Sequence, residues 1–199
     1  FLTADHAVAP IPGYAQKHKI PAGTITDDGI KNELGKMLTA KGLNPKLISA
    51  ITEFNIYFNH NLMDSLQVTQ DKLTSIITNY LEQKSNIIQV VESRKAAYAP
   101  LPQSIRERIV NGFNPQRSGD LMFITKSGVV GGGNTGTGHG VFYNYDAHIP
   151  LLFYGKGINK GSTYQKTKIV DIAPTISALL GISFPNGNTG NPIEAVLKN

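Results

Sequence analysis

With 199 residues, 40% of them hydrophobic and 17% charged, the chain is long enough for one domain with a true core, or a core plus a small appended subdomain, and too apolar for disorder. It has no cysteine, which excludes disulfides and thiolate metal sites and leaves His and carboxylates to hold any metal. The net charge of +5 favours anionic partners; however, the basic residues are scattered, so no nucleic-acid scaffold role is expected, and no run approaches the roughly 20 apolar residues of a membrane span.

The chain opens without Met on Phe1-Leu2-Thr3-Ala4-Asp5-His6, an apolar run ending in an acid and a base, as where a buried strand delivers side chains to its carboxyl edge. A strand end is an uncommon place for a protein to begin, so further residues, with any signal peptide among them, are expected upstream. A Pro/Gly-rich loop follows through Pro10, Pro12, Gly13, Pro21 and Gly23. From Asp28 to Lys41, Ile30, Leu34, Met37 and Leu38 recur on one helical face, stopped by Gly42. Ile51 to Phe58 alternates imperfectly and predicts a strand. Thr69 to Lys84 returns to helical spacing with Thr69 as its cap, Asn86 to Glu92 is a β-branched strand, Ser104 to Val110 a short helix, and Gly119 to Thr125 a strand. Residues 28–125 thus read as α, β, α, β, α, β, a mixed module. His18 and His60 lie far apart in sequence and read as surface or satisfied core histidines.

Ser127 to Gly140 is glycine-dense and carries His139 near its end. His148 to Gly155 is an apolar run that predicts a buried strand, and Asp171 to Leu180 a helix with Pro174 in its first turn and Gly181 at its end. The glycine loop has no Gly-Lys-Ser/Thr ending and leads into a strand, which excludes both a P-loop and a Rossmann fingerprint; no Gly-x-Ser-x-Gly nucleophile motif occurs.

Asp5 and His6 offer a carboxylate and an imidazole, both ligands for Zn²⁺, and His139 between two glycines is free to approach a metal. Taken singly, Asp5-His6 reads as a surface turn and His139 as a solvated loop residue before either reads as a metal ligand. His148 fits either a partner that orients a ligand or a core histidine bonded to backbone. Their order and context add more. Thr3-Ala4-Asp5-His6, then His139-Gly140, then Tyr143 to Gly155 (YNYDAHIPLLFYG), then Val170-Asp171-Ile172-Ala173-Pro174-Thr175-Ile176 resembles the alkaline phosphatase superfamily, in particular its type I phosphodiesterase/nucleotide pyrophosphatase members and the bacterial PafA-like alkaline phosphatases. Asn111 to Asp120 (NGFNPQRSGD) is similar to the PafA-like enzymes as well, whereas Ala7 stands where many members have Gly. A sulfatase or phosphoglycerate mutase fits Tyr143 to Gly155 less well.

The resemblance implies an α/β fold, the C-terminal part of an alkaline-phosphatase-like sandwich with helices on both faces of a mostly parallel sheet, in which residues 1–27 and 119–199 form the core and 28–118 an inserted α+β cap subdomain. It implies a two-zinc phosphohydrolase acting on phosphate monoesters or diesters through a covalent phospho-Thr/Ser intermediate, periplasmic or secreted. Asp5 and His6 would serve one zinc and His139 the other, while the nucleophile and the remaining ligands would lie upstream, in the N-terminal part of the same protein. The chain alone is then expected to bind zinc weakly and to hydrolyse nothing. The alternative is a non-catalytic binding or interaction domain that keeps the phosphatase fold.

Overall fold

The computed structural model describes residues 1–197, in the order β1 (Leu2–Thr3), α1 (Pro12–Lys17), β2 (Gly23–Ile25), α2 (Asp27–Ala40), β3 (Ile48–Thr52), β4 (Asn55–Phe58), α3 (His60–Ser65), α4 (Gln70–Leu81), β5 (Ile87–Glu92), α5 (Gln103–Gly112), β6 (Leu121–Thr125), β7 (Val129–Gly131), α6 (Asn144–Ala147), β8 (Leu151–Leu152), α7 (Ile172–Leu180) and α8 (Glu194–Leu197). They form two compact units, one of Phe1–Asp5 with the chain from Ile149 onward, the other of His6–His148.

In the larger unit, β3, β4, β6 and β5 form an antiparallel sheet in that order. The period-two alternation of a strand sends Leu121 and Phe123 of β6 to one face and Met122 and Ile124 to the other. The first face packs on α2 through Ile30, Leu34 and Leu38 and on α4 through Leu73, Ile77 and Leu81; the second packs on α5 through Ile105 and Ile109. Helices on both faces are therefore present, around an antiparallel sheet. Parallel pairing is confined, among the described residues, to β2 with β7. The helices start where short polar side chains satisfy unpaired backbone N–H groups: Thr26 Oγ1 accepts from Gly29 N at 3.1 Å before α2, and Thr69 Oγ1 from Lys72 N at 3.3 Å before α4.

The strand expected over 51–58 is instead a hairpin. Ile51 and Phe54 are both buried although three apart, and Glu53 and Phe54, at φ 47° and 67°, make a two-residue turn between β3 and β4. That turn usually carries Asn or Gly, so no residue type announces it. The glycine-dense segment expected as loop contains β7, because Val129 and Val130 are buried against the core. His18 and His60 are both exposed, the surface alternative of their reading, with His60 2.9 Å from Asp120 Oδ1 and His18 Nδ1 2.9 Å from the Tyr14 carbonyl.

In the smaller unit, β1 and β8 pair antiparallel, Leu2 opposite Leu152. The two buried strands expected over Phe1–His6 and His148–Gly155 are each only two residues long and exposed, Leu2 at 64% and Leu152 at 53%. Each has just one strand neighbour among the described residues, whereas a strand buried on both faces sits inside a sheet. The helix α7 matches its expected span and ends at Gly181 in the left-handed region, φ 65°. Thr175 fixes it: its hydroxyl donates to the Asp171 carbonyl at 2.6 Å and accepts from Ile193 N at 2.8 Å.

Candidate metal centre

His6 opens the larger unit on a segment clamped at successive residues. Ala7 N donates to the Asp146 carbonyl at 2.8 Å and Ala9 N to the Gly138 carbonyl at 2.9 Å, while the Thr137 hydroxyl donates to the Ala9 carbonyl. Gly138 is also held against β7: a Cβ there would lie 2.9 Å from the Gly131 carbonyl oxygen, so the close approach demands glycine. Gly140, at φ 90°, turns the chain immediately afterwards, and Asp146 secures that turn by accepting from Val141 N at 2.6 Å through Oδ2.

The outcome of these clamps is that the rings of His6 and His139 stack, centroids 3.7 Å apart and 13° from parallel. His6 Nδ1 lies 2.7 Å from the Ala7 carbonyl, which can only accept, so Nδ1 carries the proton and in the neutral ring the lone pair is on Nε2. A carbonyl partner of this kind is what fixes the tautomer of a metal-binding imidazole. Two parallel rings so separated are suited to serving neighbouring ions, since the metals of two-metal sites lie roughly 3.5–4 Å apart. Asp5 lies exposed in the smaller unit, after β1. Among the described residues no three His, Cys, Asp or Glu side chains gather to hold a metal, so the donors fit zinc in type and not yet in number.

His139 also lines a cleft of about 300 Å³, whose wall includes Asp27, Glu53, Phe54 and Gly132. Asp27 Oδ2 accepts from Glu53 N at 3.0 Å and so ties the strained hairpin tip to the first turn of α2. Sequence reading singles out none of Asp27, Glu53, Phe54 or Gly138; Asp146 stands within the quoted Tyr143 to Gly155 motif, the one signal that could have drawn attention to it. His148 is exposed just after α6 and is not a core histidine.

No family model matches the chain. It is 35% identical over 198 residues to alkaline phosphatase PafA of Elizabethkingia meningoseptica, covering 99% of this chain and 36% of that protein. It is 34% identical over 200 residues to a calcium-transporting ATPase of Myroides odoratus, covering 100% of this chain and 36% of that protein. The crystal structure of wild-type PafA matches with a TM-score of 0.92 at 34% identity, over 99% of this chain and 38% of that one. The chain spans about a third of the length of the curated relatives it matches. Agreement of sequence and of fold along nearly every residue shows that the chain corresponds to the C-terminal part of the PafA-like alkaline phosphatases.

Proposed function

We propose that this chain supplies part of a two-zinc site to a periplasmic or secreted phosphohydrolase, with Asp5 and His6 serving one ion, His139 the other, and His148 a supporting partner. The stacking of His6 on His139, residues far apart in sequence, is the observation that carries this reading. Zinc at such a site stabilises the negative charge that develops on the entering and leaving oxygens of a phosphate ester. The chain's own contribution is positional. The clamps on Ala7 and Ala9 hold His6, the Gly138 contact holds His139, and the Ala7 carbonyl sets the His6 tautomer. The nucleophile that would carry the covalent phospho-Thr/Ser intermediate, and the remaining ligands, belong to the N-terminal part of the same protein, so the chain alone hydrolyses nothing. Residues 28–118 act as a cap bordering the cleft beside His139, which accords with Glu53 and Phe54 in its wall.

The test is phosphatase activity and zinc content of the complete protein, with Asp5→Ala and His139→Ala. Loss of activity by a hundredfold or more in both, at unchanged folding, is the expected result, on the order of what losing a group that stabilises transition-state charge costs. Full activity in both variants rejects the reading. A complete protein that binds no zinc and hydrolyses no phosphate ester would instead be the non-catalytic domain.

A further inference from the structure

A second cavity, of about 270 Å³, lies in the larger unit, and no residue of the candidate metal centre lines it. Its lining includes Arg108, Arg117, Tyr57, Phe113 and Phe142, and no Asp or Glu is among the lining residues. Neither arginine has an acidic partner among those residues: Arg108 donates to the Phe142 carbonyl at 2.6 Å, and Arg117 is exposed. The turn that presents Arg117 is fixed. Asn114 N donates to Ser118 Oγ at 2.9 Å, Gln116 N to Asn114 Oδ1 at 3.0 Å, and Arg94 reaches the Pro115 carbonyl at 3.4 Å.

Two arginine side chains lining one cavity repel each other. An anionic oxygen group relieves that repulsion, because guanidinium forks match the oxygens of a carboxylate or phosphoryl head. The aromatic rings offer a flat apolar body its contact. We propose that this cavity binds a small aromatic anion, its head on Arg108 and Arg117 and its ring against Phe113 and Phe142. The segment Asn111 to Asp120, which the metal centre leaves unused, thereby acquires a role.

The test is calorimetric titration of the complete protein with benzoate, phenylphosphonate and neutral benzamide. One or both anions should bind. Binding should weaken about tenfold in Arg117→Gln, less in Arg117→Lys, which keeps the charge, and not at all in His139→Ala, which separates this cavity from the metal centre. Benzoate binding alone assigns a carboxylate head, phenylphosphonate binding alone a phosphoryl head. The inference is overturned if neither anion binds, if Arg117→Gln leaves the affinity unchanged, if binding disappears in His139→Ala, or if benzamide binds as well as the anions.

Discussion

Glu53 and Phe54 show how one residue's strain is held by its neighbours. Both sit in left-handed backbone, which costs a side-chain-bearing residue roughly 1–2 kcal/mol. Phe54 is 7% exposed and packs edge-on against Phe123 at 5.5 Å; truncating such a ring costs about 3–5 kcal/mol, so packing outweighs the strain. Glu53 is exposed and its side chain has no such packing; only its backbone is held, its N–H donating to Asp27 and its carbonyl accepting from Asn55 Nδ2 at 3.0 Å. Glu53→Asn should therefore stabilise the fold by about 0.5 kcal/mol, since Asn tolerates this conformation; a urea midpoint that falls would contradict it. Tyr143 gives a pH-dependent counterpart. Its hydroxyl donates to the Thr125 carbonyl at 2.6 Å, and burial, with a smaller contribution from Tyr145, holds the phenol above its ordinary value of about 10. A raised folded value means that the contribution is complete below the unfolded value and is lost as pH rises through the folded one. Wild type should thus be more stable than Tyr143→Phe by about 0.5–1.5 kcal/mol at neutral pH. That gap should close above pH 10, and a gap constant from pH 7 to 11 would show that the hydroxyl is not held in its neutral form.

At the scale of elements, periodicity made α2, α4, α5, α7 and β5 legible, because one face of each meets the core and hydrophobic spacing records that face directly. The cap at Thr69 was legible for the same local reason: the side chain acts on a backbone N–H three residues on. Thr69→Ala should cost about 1 kcal/mol and Ile77→Ala, fully buried between α4 and the sheet, about 2–5 kcal/mol. Urea unfolding of both variants checks the order, and an equal or reversed loss would mean that α4 is held by its end and not by its face. Illegible were features decided by contacts distant in sequence. The β3–β4 turn has no Asn or Gly to mark it, and β7 is a strand only because β2 lies beside it. The short β1 and β8 carry the apolar composition of buried strands, and composition does not state how many neighbours a strand has.

For the molecule as a whole, the candidate centre depends on apposition that the sequence presents as two separate facts. Asp5-His6 and His139-Gly140 were visible as donors; that His6 and His139 face each other was not, since it arises from bonds joining Ala7 to Asp146 and Ala9 to Gly138. The same apposition separates two arrangements of metal. If the stacked rings serve neighbouring ions, His6→Ala and His139→Ala in the complete protein should each lower bound zinc by about one equivalent, and the double variant by about two. If both rings serve one ion, either substitution alone should empty that position and the double variant should lose no more. Gly138→Ala probes the scaffold rather than the donors. Its Cβ would press within 2.9 Å of the Gly131 carbonyl, so the loop must shift although both imidazoles remain. Activity should fall by about a hundredfold, as expected for a displacement near 1 Å, with zinc bound more weakly but in unchanged number. Elemental analysis of the four proteins beside wild type reads the zinc counts, with a phosphatase assay and a zinc titration for Gly138→Ala, and zinc losses in the double variant no greater than in either single one would exclude a ring for each ion.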